Sequence, residues 1–405
     1  MNAERKMEKQ EKKASILWYI QDALFTISLL IANGTIFQGF MLDQGFSNGQ
    51  VGIYSMLVNI TQASVMLFSS GLVDRIASIK KAFCFSVCGQ APLYGLLLLL
   101  SWQKQMDANA MFILYMALIS VLNLLIGFRT IIYYKIPFTF LRKEVYGQFS
   151  IVVAIIGALF GAISSYISSI VLERVSYQLA MPVAFCVSIV LVVASGIISF
   201  SIRQTNQHEE SSSAEKKLSF GVLKKRITYS YILPNLARGL STGIIGMIAV
   251  FAIVDIGAET VFVGRIAFIT QLAYVLAYST YLLFYKYTTA KAVTLIGSVF
   301  YSVTLILLAV VKNELAYLLL LGVCNFGVGL YSIGIPIVIA ENVSYDIIGG
   351  YTSWRLLITT AGIAAGSAVG GLIAGRVPSL LIFTAAAMLQ IICGAAYFRF
   401  PNETQ

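Results

Sequence analysis

The segment Arg203-Gln-Thr-Asn-Gln-His208-Glu-Glu-Ser-Ser-Ser-Ala-Glu-Lys-Lys-Leu-Ser-Phe-Gly-Val-Leu-Lys-Lys-Arg226-Ile-Thr228 is the one long polar interruption in the body of this chain, and what flanks it decides the fold. Six apolar stretches precede it, at approximately 16 to 41, 50 to 73, 82 to 102, 109 to 134, 147 to 172 and 179 to 202. Six follow, at 229 to 255, 261 to 285, 290 to 311, 314 to 340, 351 to 374 and 378 to 398. Each is long enough to span a bilayer, because about 20 helical residues cover a hydrocarbon core roughly 30 Å thick. Backbone groups inside lipid must pair within their own segment, and a closed barrel would show alternating segments of about 10 residues, so the stretches are expected to be helices. The expected fold is therefore an all-α integral membrane protein. Twelve transmembrane helices form two pseudo-symmetric six-helix bundles, 16–202 and 229–398, with a linker at 203–228 and tails at 1–15 and 399–405.

Composition agrees. Hydrophobic residues make up 58% and charged residues 11% of the chain, with a mean hydropathy of +0.84, values of a membrane protein with no remainder for a soluble catalytic domain. The net charge of +10 would suggest a nucleic-acid partner in a soluble protein, but here its distribution is what carries meaning. Lys104, Arg174, Lys312 and Arg376 are the only cations in the odd-numbered loops, and Arg129, Arg238 and Arg265 fall within spans. The rest lie in the tails and even-numbered loops or, as Lys291 and Arg355, just inside the spans that border those loops, which places both termini and the central linker in the cytoplasm of a plasma-membrane protein. Nucleic acid is not an expected partner; the lipid bilayer is.

A charged Lys/Glu tail leads directly into a span too long for a signal-peptide core, so no cleaved signal is expected. Cys84, Cys88, Cys186, Cys324 and Cys393 all lie inside spans without metal-ligand spacing, and the single histidine, His208, is in the linker. Neither a metal site nor a disulfide framework nor a resident cofactor is expected, and no nucleophile set suits an enzyme. Residues 211 to 228 read either as a tether followed by an amphipathic segment on the anionic membrane surface or as a plain solvated linker.

Internal repetition supports two related halves. Asp43 and Gly52 recur as Asp255 and Gly264. Asn123-Leu-Leu-Ile-Gly127 in span 4 recurs as Asn325-Phe-Gly-Val-Gly329 in span 10, and Gly157 and Gly161 of span 5 recur as Gly362 and Gly366 of span 11. Each match pairs span n with span n+6, as parallel repeats about a membrane-normal axis would, with a central cavity between the halves.

The loop after span 2 reads Ser70-Gly71-Leu72-Val73-Asp74-Arg75-Ile76-Ala77-Ser78-Ile79-Lys80-Lys81. It resembles the Gly-x-Leu-Ala-Asp-Arg-x-Gly-Arg-Lys signature of the major facilitator superfamily, at the same place in the topology, with Ser70 and Ala77 where that family usually has glycine. The resemblance implies the superfamily fold and a cytoplasmic gate in which Asp74 and Arg75 pair with facing charges and a helix terminus, a latch that breaks when the halves rock. The Pro-containing span 5 pattern and the span 4 arginine of drug antiporters are missing. A fainter likeness is to the glycoside-pentoside-hexuronide sugar symporters. It rests on Asp22, the run Gly45-Phe-Ser-Asn-Gly-Gln-Val-Gly52, Ile335-Pro336, and Glu341-Asn-Val-Ser-Tyr-Asp346, although that branch's acidic cation-site residues in span 2 are absent.

Charged groups inside lipid cost roughly 2.5 to 3.5 kcal/mol each on insertion scales, so each needs a partner, a cavity or an escape route. Arg129 and Arg265 are expected to snorkel to an interface. Asp22 and Arg238 lie deeper, about 9 to 14 Å from the starts of spans 1 and 7, and are expected to offset one another, with Asp22 titrating or pairing with Arg238 as the coupling group. At 100° per residue Asp22, Thr26 and Asn33 share one face of span 1, Ser55, Asn59 and Gln62 one face of span 2, and Asn235, Arg238 and Thr242 one face of span 7. On span 8 Gln271, Tyr274, Tyr278, Tyr281 and Tyr285 group within about 80°, a stacking surface with hydroxyls that suits a sugar-like or aromatic solute. Such stripes face either a cavity or neighbouring helices as hydrogen-bond glue. The resemblance implies that spans 1, 2, 4, 5, 7, 8, 10 and 11 line the cavity.

The expected solute contacts are accordingly Asp22, Asn33, Asn59, Gln62, Asn123, Asn235, Arg238, Gln271, Tyr274, Tyr278 and Asn325. The function expected is secondary transport of a small polar, sugar-like or organic solute by alternating access, in a monomer, with a proton or cation as the possible coupling ion. The alternatives are a proton-coupled drug or metabolite exporter and, from another class, a membrane receptor or scaffold that transports nothing.

Overall fold

The computed structural model describes residues 2–46, 48–72, 78–103, 107–133, 136–141, 143–202, 226–246, 248, 251–252, 256–257, 261–343, 345–373 and 376–400. Fourteen helices, and no strand, occur among the described residues. The first unit, Met1–Leu218, holds α1 (Asn2–Ala32), α2 (Gly34–Asp43), α3 (Asn48–Leu72), α4 (Ile79–Cys88), α5 (Gln90–Ser101), α6 (Ala108–Tyr133), α7 (Lys143–Arg174) and α8 (Tyr177–Ser201). The second, Ser219–Gln405, holds α9 (Arg226–Ile245), α10 (Val261–Phe284), α11 (Ala290–Leu308), α12 (Glu314–Asn342), α13 (Tyr345–Ile373) and α14 (Ser379–Phe398).

Helix ends follow local chemistry. The side chains of Ser78, Thr289 and Asn313 accept from backbone N–H groups three residues on and so begin α4, α11 and α12. Three expected spans are broken, among them span 7, where α9 ends at Ile245, Gly246 turns and Ile248 is again helical. Span 1 divides at Asn33, and span 3 divides at Gly89, three residues before Pro92, whose ring removes a helical donor and crowds the preceding turn. The charged tail is not separate from span 1: α1 begins at Asn2, in a stretch of Ala, Glu, Lys and Met that favours helix.

Nine helical segments among the described residues are long and apolar enough to cross a membrane, and they coincide with nine of the twelve expected spans. The other three expected spans correspond to α3, α9 and α13. The side chains are arranged as lipid demands. On α8, Leu179, Val190 and Ile197 are more than 60% exposed while Ser188, Ser195 and Ser199 are buried, and on α14 Leu381 and Met388 face out while Gln390 is fully buried. Large apolar residues outside and small or polar residues inside reverse the soluble pattern and identify a multi-pass membrane protein.

Inside each unit the same helix pairs form. In the first, α1 packs on α7 and α8, α3 on α6, and the α4–α5 pair on both α6 and α8. In the second, α9 packs on α13 and α14, α10 on α12, and α11 on both α12 and α14. Each of these pairings in the first unit thus has its counterpart six spans later in the second.

Buried hydroxyls bind these helices together. Ser195 donates to the carbonyl of Gln21 at 2.9 Å, joining α8 to α1, and Ser302 donates to Ala387 O at 2.9 Å, joining α11 to α14. This is the inter-helix glue that small polar residues supply in membranes.

Candidate functional site

The first unit contains a buried ion pair. Arg129 on α6 donates from one terminal nitrogen to Asp22 Oδ1 on α1 at 2.9 Å, with the two residues 7% and 8% exposed. The guanidinium lies over the Phe25 ring at 3.5 Å and near Tyr133 and Phe83 at 5.0 and 5.4 Å. Trp18 closes the cage, stacking on Phe83 at 5.4 Å and meeting Tyr133 at 5.2 Å. Cation–π contact and a charge-assisted hydrogen bond together offset part of the cost of keeping the cation out of water.

This arrangement corrects two expectations. Asp22 is paired with Arg129 rather than Arg238, and Arg129 does not snorkel. The reason is depth: span 1 and span 4 run in opposite directions, so Asp22, six residues from the start of one, and Arg129, five from the end of the other, lie at nearly the same level, about 8 to 9 Å in. Neutralisation inside the unit replaces a long reach to the interface.

Gly157 of α7 borders this pair. A methyl group there would come within 3.9 Å of both Asp22 Oδ2 and Thr26 Oγ1, so those two residues share the face of α1 that meets α7. Asn33, 7% exposed at the break between α1 and α2, accepts a hydrogen bond from the Tyr54 hydroxyl of α3. On the α3–α6 seam Gln62 donates to Asn123 Oδ1 at 2.9 Å, and Asn123 donates in turn to the carbonyl of Ile119 at 2.9 Å. Fully buried and paired at both ends of its amide, Asn123 works as glue here. Asn59 is half-buried on α3. Asp74 and Arg75, the expected gate, lie outside the described residues.

In the second unit the expected residues gather around a tyrosine cluster. Tyr274 and Tyr278 of α10 stack at 6.0 Å, and Arg238 of α9 lies over the ring of Tyr331 on α12 at 5.0 Å. Tyr274 is electrostatically coupled to both Arg238 and Tyr331, which places the three together. Tyr331 meets Tyr301 edge-on at 5.9 Å. Gln271 is half-buried on α10. Asn325 donates to the carbonyl of Leu321 at 3.0 Å, the same back-bond that Asn123 makes in the other repeat. Asn235, 1% exposed, shares hydrogen bonds of 2.8 and 3.0 Å with the Tyr397 hydroxyl of α14.

The repeated Asn-x-x-x-Gly motifs now have a shared packing role. Gly127 abuts Gln62 on α3, with 3.2 Å left for a methyl group, and Gly329 abuts Tyr274 and Ala277 on α10, with 3.4 and 2.6 Å. An added methyl would be tight at Gly127 and would force a shift at Gly329, so glycine lets the helices approach closely at both positions.

Sequence reasoning missed Tyr331, Thr359 and Arg355. Arg355, only 6% exposed, carried a readable signal, a cation as the fifth residue of an apolar run, but the loop-charge count absorbs it as a flanking residue. Among the described residues no group of three or more His, Cys, Asp or Glu side chains gathers to hold a metal.

Two helical units that repeat one set of helix pairings give the chain the fold of the major facilitator superfamily transporters. Comparison with solved structures agrees. FucP, the E. coli fucose:proton symporter, solved in the outward conformation, superposes with a TM-score of 0.74 at 12% identity, over 96% of this chain and 98% of that one. The human organic anion transporter MFSD10 gives 0.73 at 13% identity over 96% and 99%, and a bacterial homologue of the iron transporter ferroportin gives 0.73 at 11% over 97% and 99%. No protein-family profile matches the sequence, and no curated protein matches it in sequence.

Proposed function

We propose that this protein is a secondary transporter that carries a small polar or organic solute across the plasma membrane by alternating access, without enzymatic chemistry. The single observation that carries the reading is the superfamily fold with charged side chains held inside an apolar helix bundle, since such groups are costly unless they serve a solute or ion path. Asp22 with Arg129, and Arg238 with its tyrosines, are the groups we assign to that path. Asp74 and Arg75 serve as the cytoplasmic latch, and both termini are cytoplasmic.

The pair in the first unit suits coupling, because a proton or cation reaching Asp22 would compete with Arg129 for the carboxylate and loosen α1 from α6. The test is uptake into proteoliposomes with and without an inward pH gradient across a panel of sugars, organic acids, amino acids and drugs. Gradient-driven accumulation of one solute is expected, and its abolition in Asp22→Asn with exchange retained. An Asp22→Asn protein that still accumulates solute against its gradient removes Asp22 from coupling.

A second reading, export of aromatic or hydrophobic compounds, is favoured by the stacked Tyr274 and Tyr278. Dye efflux from cells that outpaces polar-solute uptake would select export.

A further inference from the structure

The buried cation of the first unit has its counter-ion; for the buried Arg355 and the part-buried Arg238 of the second, no carboxylate partner occurs among the described residues. Arg238 and Arg355 each have Nε buried without a hydrogen-bond partner, as does the hydroxyl of Thr359. Arg355 and Thr359 are one turn apart on α13, and the Thr359 backbone abuts Gly239, the neighbour of Arg238 on α9. Both arginines are electrostatically coupled to Cys393 and Tyr397 on α14, so they flank one region of the unit. The carboxylates described in this unit, Glu314 and Glu341, belong to the two ends of α12, and Glu341 is coupled to Lys291.

Each of the three orphan groups is a donor. Guanidinium nitrogens have no acceptor capacity, and a serine- or threonine-type hydroxyl donates freely when an oxygen is near. Two cations, each with a buried and unmet Nε donor, one over the Tyr331 ring and both near Tyr397, select one kind of occupant: a group with several oxygens and negative charge. A neutral sugar would leave both charges uncompensated, and a cation would be repelled.

We propose that Arg238, Arg355 and Thr359 form the binding site for the carboxylate or phosphate of an anionic solute, which makes the transported class organic or inorganic anions. This rests on the transport reading and deepens it. The aromatic rings of Tyr274, Tyr278 and Tyr331 then pack against the solute body, and the forked guanidinium of Arg355 takes the oxyanion in a two-point grip that a lysine could not reproduce.

The full-length protein in a neutral detergent provides the test, by thermal unfolding against inorganic phosphate, succinate and benzoate, each compared with chloride at matched ionic strength and with glucose. Saturable stabilisation by at least one of the three anions is expected, and none by chloride or glucose. Arg238→Gln and Arg355→Gln should each weaken the apparent affinity about tenfold or more, as loss of a charge-assisted hydrogen bond does, while Arg376→Gln in an exposed turn changes nothing. If Arg355→Gln does not yield folded protein, Arg355→Lys keeps the charge and should still weaken binding. No stabilisation by any of the three anions overturns the inference, and so does wild-type affinity in the arginine variants. Saturable stabilisation by phosphatidylglycerol alone assigns the arginines to a lipid headgroup and equally overturns a solute site. Counterflow of a neutral solute without anion binding sinks this inference and leaves transport standing, whereas anion binding without any counterflow does the reverse.

Discussion

At Asp22 and Arg129 a single hydrogen-bonded contact joins α1 to α6 inside an aromatic cage. Removing one partner of a buried pair costs roughly 3 to 5 kcal/mol, most of it from the charge left behind. The two deletions are not equivalent. A stranded carboxylate is neutralised by taking up a proton, but arginine stays charged. Asp22→Asn should therefore lower stability by about 3 kcal/mol, Arg129→Gln by less, and the double variant should recover part of the loss, all read by chemical unfolding in detergent. Equal losses in the two single variants would mean that the uncompensated charge is not what matters. Both residues were legible as cations or anions within apolar runs, because the cost of burying charge is a property of composition. Their partnership was not, because a helical face angle shows which way a side chain leaves its helix and not which helix it meets.

Glycines set how closely the helices approach, and they do so unequally. At Gly239 an added methyl group would sit 2.8 Å from the Gly362 Cα, and at Gly297 it would sit 2.7 Å from the Gly327 carbonyl oxygen. At Gly95 of α5 the same methyl would meet nothing within 4 Å. Gly239→Ala should accordingly cost about 1 to 3 kcal/mol from overpacking the α9–α13 seam, while Gly95→Ala should be neutral or gain up to about 1 kcal/mol from helix propensity. Unfolding midpoints in the same detergent compare the two directly, and matching losses would show that propensity rather than close approach governs both. Gly157 and Gly362 hold corresponding places in the two halves, yet Gly157 leaves 3.9 Å to its neighbours where Gly362 leaves 2.8 Å to the Leu236 carbonyl. Small residues permit a close approach without enforcing it. The helix breaks at Asn33 and Gly89 were likewise hidden, since hydropathy runs unbroken through both.

For the whole molecule, lipid imposes the length of each helix and the charge of each loop, so topology has a direct test. In a background lacking the five native cysteines, Gln103→Cys should react with a membrane-impermeant maleimide on intact cells, and Lys286→Cys only after permeabilisation. The reverse pattern would invert the orientation. The sequence by itself determined nine of the apolar spans, the all-helical membrane class and the recurrence of helix pairings between the two units, because each follows from the transfer cost of apolar, polar and charged groups along one dimension. Only the tertiary structure decided that Asp22 belongs to Arg129, that Asn123 is occupied by Gln62, and that Arg238 and Arg355 each bury an Nε without a hydrogen-bond partner. Those outcomes depend on which helices touch and at what depth, and contacts between residues 61 to 107 positions apart leave no trace in local periodicity.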